Sequence, residues 1–146
     1  MALVASIHVD SGWQMPDMNL KDVDGNDVSL SSQIGEKGLL VAFTCIHCPY
    51  AIAVWPRLIR HAATLKKMGI NTIAVNPNIH PDYPADGVPA MREKIAEWGI
   101  DFPYLADETQ AVAKAFDAQC TPDLYMFKSD GRLYYHGRID DYWKSE

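Results

Sequence analysis

The feature that most constrains the fold is a long stretch, Gly38 to Pro56, that contains no Asp, Glu, Lys or Arg. Its length approaches that of a membrane span. Polar residues and prolines interrupt it, however, at Thr44, Cys45, His47, Cys48, Pro49 and Pro56. A continuous apolar run is typical of a strand buried on both faces, and proline suits the first turn of a helix. The stretch therefore predicts a buried strand over 38–43, a polar turn, and a helix that Pro56 should kink.

The rest of the chain continues this alternation of strands and helices. In chain order, the patterns predict a hairpin around Asp24-Gly25, the strand 38–43, a helix from 49 to Gly69, a strand at 70–76, a helix closed by Gly99, a strand at 102–107, a helix after Asp107 and a hairpin around Asp130-Gly131. A long proline-rich loop is expected over 77–89, and Asp107 with Gln110 resembles a capping box. Strands that alternate with helices pair in parallel through right-handed crossovers. The predicted fold class is α/β, with a central mixed sheet flanked by helices.

Size and charge narrow the function classes. The 146 residues suit a single domain over 1–146. A net charge of -6 argues against nucleic acid or an anionic membrane as a partner. The N-terminus has no basic segment of the kind that opens a signal peptide, which predicts a cytoplasmic location. Cysteine pairs also work outside the cytoplasm, so an extracytoplasmic location stays open.

Cys45 and Cys48 form a Cys-x-x-Cys motif at the predicted junction between strand and helix. Free N–H groups and the positive end of the helix dipole stabilise a thiolate there, which makes it a nucleophile. Cys45 is expected to attack a substrate disulfide, and Cys48, one turn later, to resolve the mixed disulfide. The pair itself carries the electrons, so no cofactor is expected. His47 can further stabilise the Cys45 thiolate by a partial positive charge or an N–H donor.

Other interpretations of the cysteines remain open. The pair could hold copper(I) or zinc, but a structural zinc site usually needs four ligands. The other candidate ligands are Cys120, His8, His61, His80 and His136, which are scattered along the chain. The cysteines could also be inert and buried. Cys120 is either a third redox thiol or a small buried apolar residue.

Three stretches carry a resemblance to a known family. They read MPDMNLKDVDGNDVSL, FTCIHCPY and CTPDLYMFKSDGRLYYHGRIDD. Together they resemble the thioredoxin-like superfamily, with its AhpC/TSA and TlpA-like relatives, and are most similar to the peroxiredoxin-like subgroup with a Cys-x-x-Cys motif. The resemblance covers roughly residues 12–141. It implies a thioredoxin fold with an N-terminal hairpin and an inserted strand–helix segment, and a thiol–disulfide oxidoreductase.

The resemblance also implies partners and a substrate-binding loop. The substrate would be a protein or small-molecule disulfide, and a thiol would donate electrons. Thr121 and Pro122 would form the cis-proline loop that offers its backbone to an extended substrate. Thioredoxins carry a tryptophan where Thr44 stands, so Thr44 is expected to modulate the pair. They also bury an acid in the strand before the pair, and 38–43 contains none.

A thiol peroxidase is the alternative enzyme. Peroxiredoxins carry a Pro-x-x-x-Thr-x-x-Cys motif, and placing Cys48 on its cysteine puts Cys45 at the threonine and Val41 at the proline. Their partner arginine is missing as well, since no arginine lies between Arg92 and Arg132. A peroxide would then find no prepared site.

The segment that follows the closing hairpin bears on assembly. A thioredoxin fold normally covers its last strands with a helix, whereas 137–146 could form one turn at most. We expect an apolar patch beside this hairpin that is open or covered by a second chain, which makes a homodimer possible.

Overall fold

The computed structural model describes residues 13–44, 46, 49–77, 87–116 and 123–137, with the backbone alone for 49–51. Its strands are β1 (Asn19–Lys21), β2 (Asp27–Ser29), β3 (Gly38–Phe43), β4 (Ile70–Asn76), β5 (Tyr104–Ala106), β6 (Asp123–Lys128) and β7 (Leu133–Gly137). Its α-helices are α1 (Pro49–Lys67), α2 (Val88–Trp98) and α3 (Ala111–Phe116), and a short 3-10 turn spans Ser31–Gln33. The predicted order of elements is confirmed.

The described strands form one seven-stranded sheet in the order β2-β1-β5-β4-β3-β6-β7. β3 and β5 run parallel to β4, as the intervening helices require, and β6 lies antiparallel to β3. Each end of the sheet is a hairpin, β1–β2 on one side and β6–β7 on the other. The mixed sheet predicted from the sequence is thus confirmed.

β3 is buried along its whole length, so its alternating side chains supply both cores. On one face Phe43 packs with Phe116 of α3 and with Tyr125 of β6, at ring-centroid distances of 5.1 and 5.7 Å. On the other face Leu40 and Ala42 belong to the cluster that contains Trp55 of α1. Full burial of a large apolar side chain contributes about 2–3 kcal/mol. β3 and α1 confirm the strand and the helix predicted within 38–56, whereas residues 45, 47 and 48 of the predicted turn lie outside the described residues.

The ends of α1 and α2 follow from local chemistry. α1 starts at Pro49, and Lys66 and Lys67 lie in its last turn, where cations complement the helix dipole. The helix continues through Pro56, and the predicted kink stays a prediction. α2 begins at Val88, inside the loop expected over 77–89, because a proline fits the first turn of a helix. Residues 78–86 of that loop lie outside the described residues.

The expected capping box at α3 is wrong in part. Asp107 does cap the helix, since its carboxylate accepts hydrogen bonds from the backbone N–H groups of Val112 (3.3 Å) and Ala113 (2.8 Å). The backbone N–H of Gln110 donates to the carbonyl of Asp107 at 3.1 Å, but its side chain does not bond back to Asp107 as a capping box requires. Gln110 has a positive φ of 63°, and its side-chain amide donates to the carbonyl of Pro77 at 3.0 Å. Gln110 lies directly before α3, where its carbonyl accepts from the N–H of Lys114, and not in the first turn where a capping box would place it.

Within the described residues, no helix combines the length and the apolar composition that crossing a membrane requires.

The apolar patch expected beside the closing hairpin is present. A groove of about 210 Å³ lies between α1 and the β3–β6–β7 part of the sheet. Its apolar lining comes from Leu40, Leu65, Leu124, Met126 and Tyr135. Tyr134 and Tyr135 on β7 are exposed. Residues 138–146 lie outside the described residues, so an open groove or a second chain over it stays a prediction.

Candidate functional site

Buried polar residues follow the central parallel strands at one edge of the sheet. Thr44 comes directly after β3, Asn76 ends β4, and Asp107 comes directly after β5. All three are at most 2% exposed. In open α/β sheets this carboxyl edge is where ligands bind and chemistry takes place. Thr44 immediately precedes Cys45, so the predicted redox pair follows this edge in the sequence.

Most of the predicted site residues lie outside the described residues. These are Cys45, His47, Cys48, Cys120, Thr121 and Pro122. Thr44, the predicted modulating residue, is described. The residues that flank the pair therefore define the described part of the site.

Thr44 is anchored from two neighbouring strands. Its backbone N–H donates to the carbonyl of Val75 in β4 at 2.9 Å. Its carbonyl accepts from the hydroxyl of Tyr104 in β5 at 3.2 Å. Each such hydrogen bond contributes about 1 kcal/mol to stability. The position before Cys45 is consequently fixed on both sides of its backbone.

The chain between Thr44 and α1 has a second anchor at Ile46. Ile46 is 5% exposed and packs in the cluster that contains Ala42, Val54 and Trp55. α1 follows at Pro49, and its first turn contains no acidic residue. A carboxylate there would compete with a thiolate for the positive end of the helix. The N-terminus of α1 therefore favours an anion supplied by another group.

A buried acid approaches the end of β3 from the neighbouring strand. Asp123 is the first residue of β6 and lies opposite Phe43, the last residue of β3. Its carboxylate is 2.9 Å from Nε2 of His136 in β7, and the two side chains are at most 4% exposed. The hydroxyl of Tyr125 lies 3.2 Å from the second carboxylate oxygen and 3.0 Å from the carbonyl of Phe116. Asp123, His136 and Tyr125 thus form a connected buried network.

Stacking of aromatic rings fixes this network further. The ring of His136 stacks on that of Tyr125 with a centroid distance of 3.9 Å and an interplanar angle of 14°. Tyr125 in turn packs edge-on against Phe116 at 5.1 Å. An imidazole clamped in this way presents one fixed nitrogen to the carboxylate.

Sequence reasoning missed Asp123 and considered His136 only as a scattered metal ligand. The signal that could have found Asp123 is an acid at the start of the apolar run of β6, directly after Pro122. Among the described residues, no cluster of three or more His, Cys, Asp or Glu could hold a metal ion.

Comparison with known proteins identifies the family. The model of the AhpC/TSA family matches residues 11–136. The chain belongs to the AhpC/TSA family. This confirms the resemblance to AhpC/TSA relatives that the three sequence stretches carry, whereas the subgroup with a Cys-x-x-Cys motif stays a prediction.

Similar proteins place this AhpC/TSA family member among thioredoxin-like structures. A conserved protein from Geobacillus kaustophilus is 40% identical with a TM-score of 0.90, over 97% of this chain and 75% of that chain. The thioredoxin domain of a thiol-disulfide oxidoreductase from Bacteroides vulgatus is 19% identical with a TM-score of 0.74, over 91% of both chains. The predicted thioredoxin fold is therefore confirmed.

Curated relatives are more distant in sequence. The thiol-disulfide oxidoreductase ResA from Bacillus subtilis is 22% identical over 125 residues, which are 86% of this chain and 65% of ResA. A second ResA, from Halalkalibacterium halodurans, is 24% identical over 123 residues and is covered to the same 65%. The chain thus spans less than two thirds of the length of the curated relatives it matches.

Proposed function

We propose that the chain is a thiol–disulfide oxidoreductase in which Cys45 is the nucleophile and Cys48 the resolving thiol. The observation that carries this proposal is the place of the pair in the chain. It falls between Thr44, anchored at the carboxyl end of β3, and Pro49, the first residue of α1. A thiol at a helix N-terminus without a competing carboxylate is readily ionised. Two relatives named thiol-disulfide oxidoreductase ResA support the assignment.

The reaction is a pair of thiol–disulfide exchanges. The Cys45 thiolate attacks one sulfur of a substrate disulfide, and the other substrate sulfur leaves as a thiolate. Cys48 then attacks the Cys45 sulfur of the mixed disulfide, which releases the second substrate thiol and leaves a Cys45–Cys48 disulfide. Two electrons pass to the substrate, and a thiol electron donor restores the reduced pair. The exchange needs no organic cofactor.

Thr121 and Pro122 are proposed to position the substrate. They directly precede Asp123, which lies opposite Phe43 at the carboxyl end of β3. Chain connectivity therefore ties them to the edge of the sheet that Cys45 follows. A backbone segment at such a place can pair with an extended peptide, and a protein or small-molecule disulfide would be presented to the pair in this way. Cys120, which directly precedes Thr121, is proposed to be a small buried residue, and a third redox thiol that modulates the pair is the alternative.

Assembly and location are further proposals. The apolar groove between α1 and β7 favours a homodimer, since exposed apolar surfaces of this kind are often interfaces. The cytoplasm is the proposed location, and an extracytoplasmic location is the alternative.

A thiol peroxidase is the second candidate, because the chain belongs to the AhpC/TSA family. Cys48 would react with the peroxide and Cys45 would resolve the product. Val41, which takes the proline position of the peroxiredoxin motif, is a fully buried residue of β3. The threonine and arginine that prepare a peroxide site are absent from the sequence pattern, which favours disulfide exchange.

An assay of two activities separates the candidates. Reduction of insulin disulfides and consumption of hydrogen peroxide would be measured for the wild type, Cys45→Ser, Cys48→Ser and the control Cys120→Ser. We expect insulin reduction to fall at least about 100-fold in Cys45→Ser, mixed disulfides to accumulate in Cys48→Ser, and Cys120→Ser to resemble the wild type. Peroxide consumption that survives in Cys45→Ser and disappears in Cys48→Ser would instead support the peroxidase.

A further inference from the structure

We propose that a pocket on the α1 face of the sheet binds a small zwitterion, a molecule that carries both an ammonium and a carboxylate group as a free amino acid does. The pocket has a volume of about 200 Å³ and lies between the last turns of α1, the first residues of β4 and the segment 101–103 that leads into β5. The inference goes beyond the proposed function, because this pocket lies where β4 and β5 begin, whereas the redox pair follows the carboxyl edge.

The hydroxyl of Thr72 is the first argument. Thr72 precedes Ala74 by two residues on β4, and Ala74 packs in the cluster that contains Trp55, so both side chains face α1. Thr72 lines the pocket and is 5% exposed, and its buried Oγ1 has no hydrogen-bond partner among the described residues. Most buried polar atoms in proteins have a partner, because an unsatisfied one is costly. A polar ligand atom in the pocket would supply that partner, since a hydroxyl can both donate and accept.

The charges of the lining are the second argument. Lys66 contributes a cation from the last turn of α1, and Asp101 contributes an anion from the segment before β5. Both residues are exposed, and neither forms an ion pair within the part of the chain that the structure describes. A ligand with one charge of each sign would attract both groups, whereas an ion of a single sign would be repelled by one of them. The lining therefore favours a zwitterion.

The walls of the pocket are held in place by hydrogen bonds within the protein. The side-chain amide of Asn71 donates to the carbonyl of Gln33 at 2.9 Å, which ties the start of β4 to the 3-10 turn. The carbonyl of Pro103 accepts from the backbone N–H of Ala74 at 2.9 Å, which ties the segment before β5 to β4. Sites for small molecules are usually largely pre-formed in this way.

The dimensions of the pocket limit the size of the ligand. Pockets that hold drug-sized molecules have volumes of roughly 300–1,000 Å³. The smaller volume of this pocket suits a molecule with few atoms. α1 contributes Ala62 and Ala63 to the lining, and their methyl groups can contact a short apolar side chain. A free amino acid with such a side chain, of which valine is an example, combines these properties.

The test is a titration of the ¹⁵N-labelled protein with L-valine, followed by the NMR shifts of the backbone amides. We expect saturable shifts at Thr72 and Asp101, with a Kd on the order of 1 mM for so small a ligand. N-acetylvaline lacks the ammonium group and valinamide lacks the carboxylate, so each should bind about 2- to 5-fold more weakly. Glycerol, which is polar and uncharged, should cause no saturable shift at these concentrations.

Two variants test the proposed contacts. Thr72→Val removes the hydroxyl and keeps the shape, and it should weaken valine binding about 5-fold without lowering the Tm, because the hydroxyl has no described partner to lose. Asp101→Asn should weaken binding about 2- to 5-fold. Thr64→Val is the matched control, since the Thr64 hydroxyl donates to the carbonyl of Arg60 on α1, and it should bind valine as the wild type does. Asp101 is exposed, so Asp101→Asn decides the question if Thr72→Val does not fold.

Three results would overturn the inference. The first is the absence of a saturable shift with valine, which would leave water as the occupant of the pocket. The second is equal binding of valine and its two blocked derivatives, and the third is unchanged binding in either Thr72→Val or Asp101→Asn. None of these measurements involves disulfide exchange, so the proposed function stands or falls separately.

Discussion

The two edges of the central sheet are built by opposite means. At the carboxyl edge, buried polar side chains make hydrogen bonds: the Tyr104 hydroxyl donates to the carbonyl of Thr44, Asp107 accepts from the backbone of α3, and Asp123 pairs with His136. At the amino edge, backbones approach so closely that side chains are excluded. A Cβ atom on Gly38 would stand 2.2 Å from the carbonyl oxygen of Phe127. Burying polar groups is costly, so the polar carboxyl edge is suited to a chemical role. The closely packed amino edge contributes to stability.

The largest effect is expected at the amino edge. Gly38→Ala should lower the free energy of unfolding by about 3 kcal/mol or more, because its Cβ meets backbone that can move only with the strands. Urea denaturation measures this loss. Disulfide exchange per folded molecule should stay unchanged.

Gly25→Ala is the matched control for this substitution. Gly25 also has a positive φ, of 84°, but nothing lies within 4 Å of a Cβ placed on it. Gly25→Ala should lower the free energy of unfolding only by the cost of a non-glycine residue in the left-handed conformation, about 1–2 kcal/mol. Equal losses of unfolding free energy in Gly38→Ala and Gly25→Ala would show that close backbone packing does not determine stability at the amino edge.

Asp107 tests whether a buried acid at the carboxyl edge has a structural role as a helix cap. Asp107→Ala removes both capping hydrogen bonds of α3 and should cost about 1 kcal/mol, measured by urea denaturation, while Asp107→Asn retains an acceptor and should cost less. A loss of disulfide exchange in both variants without a loss of stability would give Asp107 a chemical role and contradict its assignment as a cap.

His47 is proposed to raise the reduction potential of the Cys45–Cys48 pair. A contact that stabilises the Cys45 thiolate by about 1 kcal/mol raises the reduction potential, which should lie roughly 20 to 60 mV above the −270 mV of thioredoxin. His47→Ala should lower it toward that value, as measured by equilibration with glutathione or dithiothreitol. A potential at or below that of thioredoxin, unchanged in His47→Ala, would show that His47 is merely solvated.

The smallest effect is expected far from both edges, at the β1–β2 hairpin. The backbone N–H of Asn26 lowers the pKa of Asp22; burial opposes this, and the N–H of Asp24 reinforces it. A lowered pKa gives stability that is present above the ordinary value near 3.9 and is lost as the pH falls through the folded value. The Tm difference between wild type and Asp22→Asn should accordingly be small at pH 7 and should vanish in strong acid. A difference that grows toward acid would contradict the assigned sign.

Local patterns predicted the elements well, because apolar periodicity and helix-ending glycines act over a few residues. β4 spans the predicted residues 70–76, and Gly99 closes α2 in the left-handed conformation. The carboxyl edge was harder to predict, since its contacts depend on which strands become neighbours. Asp123 lies near the end of β3 only because β6 pairs with β3 in the sheet. Gln110 likewise bonds to Pro77, far away in sequence.

The central claim is that the carboxyl edge presents Cys45 as the nucleophile of the redox pair. Brief alkylation of the reduced protein with iodoacetamide at pH 7, followed by peptide mass spectrometry, tests it most directly by comparing the two thiols in one molecule. Cys45 is expected to be labelled well before Cys48, because the proposed nucleophile is the more ionised of the two thiols and the thiolate is the reactive form. Faster labelling of Cys48 would contradict the account and would favour the peroxidase.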